Sequence, residues 1–260
     1  VLIWWFSLSP ANDREWLPDV AKLPEAYIQG DVVTLQNVRN FSYQDELTYT
    51  EQWETRTYDL SKLVGVDIFL SYWGSPVIAH TIMSWEFEDQ PPLAISIETR
   101  KEFGEAYSAI RGFFRQFELY YVVADERDVV RLRTNFRGEK VRLYHLKQST
   151  ADARLLLLDY LGRINALVEK PVWYNALSHN CTTTIRYHMK NIARNNPFDW
   201  RLLINGKLDE FGYKRGTIDT SLSFSKLQAV SDITEKAKAA GNALDFSRRI
   251  REGLPGGHLH

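Results

Sequence analysis

Hydrophobic and polar positions divide the chain into a first half with the two-residue period of strands and a second half with the helical period. Residues 30–43 (GDVVTLQNVRNFSY), 55–60 (TRTYDL) and 66–73 (VDIFLSYW) alternate, or run apolar with many β-branched and aromatic residues, and predict strands. VIAHTIMSWEF (77–87) and PLAISIET (92–99) flank the short connection EDQP and predict an antiparallel hairpin. If its register is symmetric about Asp89, residues equidistant from Asp89 face each other, which sets His80 opposite Glu98 on one side of the sheet.

Helical spacing follows in 103–118, where Tyr107, Ile110, Phe113, Phe114 and Phe117 form a stripe. Residues 119–146 predict a strand, a charged helical or looped segment and a strand ending in VRLYHL. ADARLLLLDYLGRINALVEK (151–170) predicts a long helix closed by Pro171. Another helix is expected to begin near Cys181, with Ile185, Met189 and Ile192 on one face, and to stop by Pro197. With no repeat and no low-complexity linker, the pattern predicts an α+β fold, an antiparallel sheet packed on helices. Its expected divisions are a catalytic domain over 11–196 and a helical extension over 197–260 ending in a frayed tail, GLPGGHLH.

Composition narrows the function. A chain of 260 residues, 44% apolar and 13% aromatic, can bury a sizeable core. Its 32 basic and 33 acidic residues nearly cancel, so no nucleic-acid partner is expected. The body has no apolar run of the roughly 18–20 residues a membrane helix needs. The start, VLIWWFSL, opens inside an apolar run, and Trp4, Trp5 and Phe6 have the character of an interfacial aromatic belt. Residues 1–10 are therefore expected to be the end of an N-terminal membrane anchor, the alternative being an ordinary buried strand or helix end.

The only cysteine, Cys181, lies in LSHNCTTTIRYH (177–188). Asn180 is a preferred N-cap and Thr182 to Thr184 suit a first turn, which puts the thiol at a helix start, where unpaired N–H groups and the helix dipole stabilise a thiolate. The Cys181 N–H and the Asn180 side chain are candidates for holding an oxyanion, with Thr182 in support. The alternative is an inert buried thiol.

A nucleophilic cysteine needs a base. His188, seven residues on, would stand about 10 Å away along a helix, and His179 lies on the entering loop. His179, Cys181 and His188 fit no familiar metal spacing, and neither a metal nor another cofactor is expected. The base must come from a distant strand. His80 shares a face with Ile78 and Ile82 and meets Glu98 across the hairpin, a carboxylate able to orient the imidazole, with Ser96 in reserve on the same face. His145, at a strand end beside Leu143, is the alternative, without a comparable carboxylate across a short turn. No G-x-S-x-G elbow, Walker loop, dinucleotide fingerprint or H-E-x-x-H is present.

The order of strand histidine, strand acid and later cysteine in an Asn-Cys dipeptide resembles the circularly permuted papain-like (NlpC-type) fold, including the lecithin:retinol acyltransferase group. More closely, WLPDVAKLP, NVRNFSY, VDIFLSYWGSPVIAHTIMSWEF, LAISIETRKEFGEAYSAIRGFF, YVVADERDVVRLRTNFRGE and WYNALSHNCTTTIR resemble the bacterial Lnb N-terminal periplasmic domain family. FDWRLLINGKLDEFGY and DFSRRIREGLP extend the likeness, which runs from about residue 16 to residue 250.

The resemblance implies a cysteine enzyme at the periplasmic face of the bacterial inner membrane, with Cys181 as nucleophile, His80 as base and Glu98 as orienter. One branch of the family is implicated in moving an acyl chain from a phospholipid to a lipoprotein's N-terminal amine. A phospholipid donor, a lipoprotein or other amine acceptor and a thioester acyl-enzyme are thus the expected chemistry. Trp73, Trp85, Trp173 and Tyr174 are candidates to line an acyl groove. Arg131, Arg133 and Arg137, with Arg100, are candidates for the lipid phosphate; salt bridging to Asp125, Glu126 and Asp128 is the structural alternative. The rival functions are a papain-like peptidase or amidase acting on cell-envelope peptides, and a non-catalytic envelope-binding domain.

Overall fold

The computed structural model describes residues 9–104, 117–174 and 205–256. Its centre is an eight-stranded sheet. Strands β1 (Glu25–Gln29) and β2 (Val32–Arg39) form a hairpin that turns at Gly30 and Asp31, Gly30 taking φ 63°. The short strands β3 (Ser42–Tyr43) and β4 (Tyr49–Thr50) pair only with each other. Strand β5 (Trp53–Asp59) pairs back on β2, and β6 (Leu63–Tyr72), β7 (Ala79–Phe87) and β8 (Leu93–Arg100) form a meander. Strand β9 (Glu118–Asp125) joins β8 antiparallel, and β10 (Lys140–His145) closes the far edge against β6. The sheet order is β1-β2-β9-β8-β7-β6-β10.

The sheet is mostly antiparallel. One junction, β2 to β9, is parallel and rests on a single pair, Arg39 with Ala124. Two sequence expectations need correction. The single strand over 30–43 is the second arm of a hairpin followed by a break, because the bulge around Asn37 (φ 58°) and the end of pairing at Arg39 turn the chain away. Glu118, expected at the end of a helix, begins β9, because its register is fixed by Arg100 on β8. Residues 1–8, the stripe from Tyr107 to Phe114, the helix expected from Cys181 and the tail end 257–260 lie outside the described residues.

All nine residues of β7 are buried, since layers cover both faces of the sheet. One face carries helix α2 (Thr150–Glu169), whose Ala153, Leu156, Leu157, Tyr160, Leu161, Ile164 and Leu167 recur at three- and four-residue spacing. They meet Met83, Trp85, Ile95, Ile97, Tyr121 and Val123, the alternate residues of β7, β8 and β9. Ser149 caps α2 through the Asp152 N–H, and the helix stops one residue before Lys170-Pro171.

The opposite face is covered by α1 (Glu126–Arg131), the π-turn Leu132–Phe136 that extends it, α5 (Thr234–Ala240) and α6 (Phe246–Arg251). Phe69, Ile82, Ala94 and Val122 of the sheet pack there with Val129, Val130, Ile233, Ala237, Phe246 and Ile250. Helices α3 (Leu208–Arg215) and α4 (Phe224–Val230) lie by the β10 edge, where Ile218 and Leu227 meet Leu70, Tyr72 and Tyr144. The C-terminal helices are thus built onto the sheet.

Candidate active site

The second face of the sheet is apolar in the middle and polar at both ends. Along β7 it shows His80, Ile82, Ser84 and Glu86; along β6, in register with them, Ser71, Phe69 and Asp67. Ile82 and Phe69 form the apolar divide, and each end gathers its own charges.

At the first end, the β7–β8 register pairs Ile82 with Ser96 and Trp85 with Leu93, the arrangement symmetric about Asp89. His80 and Glu98 are thereby brought together: His80 Nε2 lies 3.0 Å from Glu98 Oε1 and 2.6 Å from Ser96 Oγ. Ser96 donates its hydroxyl to Glu98 Oε1 at 2.8 Å, so toward His80 its oxygen accepts. That requires the proton on Nε2, and the neutral ring therefore keeps Nδ1 as its basic nitrogen. Register and side-chain chemistry together fix the tautomer.

Arg133, carried on the π-turn, supports this pair from the layer above. Its Nη2 donates to Glu98 Oε1 at 2.9 Å and its Nη1 to Glu139 Oε2 at 3.1 Å, while Ser71 Oγ donates to Glu139 Oε2 at 2.5 Å. The turn that aims Arg133 follows α1, capped by Asp125 through the Arg127 N–H, and is closed by the Glu139 N–H on the Arg133 carbonyl. His80, Ser96, Arg133 and Glu139 are buried, and the Glu98 side chain is 30% exposed.

Burial, and next the Arg133 guanidinium, push His80 below its ordinary value near 6.5; Glu98 offsets this only in part. The imidazole is neutral at neutral pH. Burial opposes ionisation of Glu98, but His80, Arg133 and the Ser96 hydroxyl outweigh it and hold the carboxyl well below the usual range. A neutral histidine with an ionised acid on its N–H side is arranged as a general base.

The other end holds a second cluster. Arg251 of α6 donates from Nε and Nη2 to Asp67 Oδ2 at 3.0 and 2.7 Å, from Nε to Glu86 Oε1 at 2.8 Å, and from Nη1 and Nη2 to Glu126 at 2.7 and 2.6 Å. His145 Nδ1 lies 2.5 Å from Asp67 Oδ1. His145 thus has a facing carboxylate, though not across a short turn: the β10–β6 pairing that supplies it joins strands far apart in the chain. Burial and then Asp67 push Glu86 up to about 9, so it is neutral at neutral pH. Among the described residues Asp67, Glu86 and His145 are the one set of carboxylate and imidazole groups close enough to share a metal ion, their donor atoms lying within 4.8 Å. The Arg251 guanidinium already sits among these acids, which argues for a structural ion-pair network.

The remaining candidates divide. Arg100 is turned away: its guanidinium donates to the Val20 and Ala21 carbonyls and to Asn12, and stacks 4.2 Å over Trp16, pinning the N-terminal segment. Arg131 bonds the Tyr43 carbonyl and covers Phe136, also a structural post. Arg133 serves Glu98 and Glu139. Trp85 lies on the face opposite His80, fully buried, its Nε1 on the Ala153 carbonyl. Tyr174 packs against that same core under α2. Trp173 bridges to Glu118 at the start of β9, under the Arg14 guanidinium. Trp73 is 45% exposed in the segment leading to β7, together with exposed Val77 and Ile78. Cys181, Asn180 and Thr182 lie outside the described residues.

Sequence reasoning missed Ser71 and Glu139. Ser71 was legible in principle, as the residue opposite His80 across the β6–β7 hairpin. Glu139 carried no signal, since it depends on the π-turn.

A family model described as the Lnb N-terminal periplasmic domain matches residues 49–206, from β4 past β7, β8 and Cys181. No curated protein and no solved structure matches the chain. No helix among the described residues is long and apolar enough to cross a membrane.

Proposed function

The chain belongs to the Lnb N-terminal periplasmic domain family, and from that premise we propose that it is a membrane-associated, periplasm-facing cysteine acyltransferase. The observation that carries this reading is the state of His80: buried, neutral, its Nε2–H committed to Ser96 and Glu98, with Nδ1 left as the basic nitrogen. Such a ring serves a nucleophile approaching its Nδ1 side. Cys181, the only cysteine, is the candidate, and the order of His80, Glu98 and Cys181 is that of a circularly permuted papain-like enzyme.

In this reading His80 Nδ1 takes the proton from the Cys181 thiol, and the thiolate attacks the ester carbonyl of a glycerophospholipid. The Cys181 N–H and the Asn180 side chain hold the oxyanion. His80 returns the proton to the departing lysolipid alkoxide as the C–O bond breaks, leaving a thioester. The amine of a lipoprotein N-terminus, or another amine, then attacks. His80 receives its proton and gives it to the thiolate as the C–S bond breaks, so an amide and a free thiol result. Glu98 and Ser96 keep the ring oriented, and Arg133 keeps Glu98 ionised.

The test is intact mass after incubation with phospholipid vesicles. An acyl adduct is expected on the wild-type chain and absent from Cys181→Ser and His80→Ala. If no adduct forms while envelope peptides are cleaved, the same groups serve an amidase; if neither occurs, the domain is a binding module.

A further inference from the structure

Glu98 and Arg133 also line a cavity of about 60 Å³. One water needs roughly 10–15 Å³ on this scale, so there is room for a group of a few heavy atoms but not for an acyl chain. Val20, Val122, Val129 and Leu132 are its apolar lining. Its polar lining is unusual: Arg39, Lys101, Arg133 and Arg137 converge there, with Asp19 and Glu98 as the acids.

The two inner guanidinium groups are held from behind. Arg39 is gripped by Asp128 through Nε and Nη2, at 2.8 to 3.1 Å, and by the Asp19 carbonyl through Nη1. Arg133 is gripped by Glu98 and Glu139. Both are buried, and fork donors fixed in this way keep further N–H groups for a ligand without having to be ordered on binding. The outer two cations are less compensated. Lys101 has no ion-pair partner among the described residues, and Arg137 has only Glu46, whose side chain is 51% exposed, where such a pair is worth little.

We infer that this cavity is a subsite for a phosphate-type oxyanion carried by the substrate, specifically the phosphodiester of the acyl donor. The inference rests on the acyltransfer reading and names how its donor is held. Arg39 and Arg133 are already balanced by Asp128, Glu98 and Glu139, so the positive charge left for a ligand is that of Lys101 and Arg137, which suits a singly charged diester, and Asp19 in the lining disfavours a dianionic monoester. Because Glu98 and Arg133 belong to both places, the bound phosphate would sit one side chain from the imidazole.

The experiment measures acyl adduct formation by the full chain from phosphatidylglycerol vesicles and from diacylglycerol in the same detergent, with inorganic phosphate as competitor. The wild type is expected to prefer the phospholipid through a lower KM. In Lys101→Met/Arg137→Met, with folding checked by circular dichroism, that preference should fall about tenfold or more, the worth of losing charge-assisted contacts. Inorganic phosphate should compete weakly. Competition by phosphate with no preference for phospholipid would assign the oxyanion site to free phosphate. A preference unchanged in the double variant overturns the subsite, leaving the acyl-enzyme intact. The absence of any adduct from either donor in the wild type overturns the acyltransfer reading itself.

Discussion

Ser71 and His80 face each other across β6 and β7, and each is an end of the same chain of charges. From Ser71 it passes to Glu139, to Arg133, to Glu98 and back to the imidazole, so the two directly paired residues close a ring that includes both a sheet and the turn above it. The ring holds one full cation between two acids. Its consequence is a histidine oriented by Ser96 and Glu98, whose basicity burial lowers first and Arg133 lowers further.

That consequence is measurable. Burial and Arg133 lower His80 below 6.5, so activity that needs the neutral ring should show an acidic limb below that pH. Arg133→Gln removes the cation that disfavours the imidazolium, so the limb should move to higher pH. Histidine ring carbon shifts followed by NMR across pH 4–8, or the pH dependence of Cys181 alkylation, would report it. A limb that stays in place, or moves lower, refutes the assigned role of Arg133.

The two partners of His80 Nε2 should not be equivalent. Ser96→Ala leaves the 3.0 Å contact with Glu98 in place and should reduce the rate modestly. Glu98→Ala removes the ionised partner and leaves Arg133 with Glu139 alone, and the loss should approach the ~10²–10⁴-fold range of general base catalysis. Adduct formation rates for the two variants at one pH decide the point; equal losses would make Ser96 the orienter.

How much of this was legible depends on how local each determinant is. The His80–Glu98 approach follows from one short connection, and counting outward from Asp89 reaches it. The α2 stripe is equally plain, because its seven buried positions keep helical spacing. The hairpin at Gly30-Asp31 is the opposite case: its turn residues are visible, yet the alternation from the glycine onward has the pattern of one strand. Arg100 and Arg131 could not be sorted from Arg133 by sequence, as their roles depend on which carbonyls and acids the tertiary fold brings up. The Asp67–Glu86–Glu126–Arg251 network was out of reach for the same reason: it joins the β6–β7 pair to α1 and α6, which lie far along the chain.

Glu86 makes stability depend on pH in an unusual direction. In the unfolded chain it loses its proton near 4.5, while in the fold burial and then Asp67 hold that proton until about 9. Between those values the folded state binds the extra proton, so this group's contribution is full below 4.5 and is lost as pH rises toward 9, by at most about 1.4 kcal/mol per pH unit. Asp67, lowered because Arg251 and Glu86 outweigh its burial, works oppositely and loses its contribution only in acid, below its ordinary 3.8. Urea midpoints from pH 5 to 9 should fall for the wild type and fall less for Glu86→Gln. Identical slopes would remove Glu86 as the cause.

Among the described residues Arg251 is the one arginine that pairs with three buried acids, from β6, β7 and α1. Replacing it with methionine leaves Asp67 and Glu126 buried beside each other without their cation, a loss of about 3–5 kcal/mol by the usual cost of orphaning a buried charge. Exposed Arg248, paired with Asp245 and Glu252 on the same helix, is the control, and its substitution should cost under about 1 kcal/mol. Urea denaturation of both variants tests this, and similar costs would mean that α6 is not anchored through Arg251.

Gly206 lies just ahead of α3. Its N–H meets the Val77 carbonyl at 3.3 Å, and a Cβ there would stand 2.5 Å from the Val77 carbonyl carbon, 2.7 Å from the Pro76 oxygen and 2.8 Å from the Ile78 nitrogen. All three are backbone atoms, which cannot swing aside as a side chain would. Gly206→Ala must therefore displace the 76–78 segment, which leads directly into β7 two residues before His80. His80 itself is tied to Ser96 and Glu98, so the strain should fall on the entry to β7 and on exposed Trp73, Val77 and Ile78. The expected result is a drop in acyl adduct formation at nearly unchanged helix content, with Gly162→Ala, where nothing lies within 4 Å, as the silent control. Full activity in Gly206→Ala would show that the approach to His80 tolerates displacement of this segment.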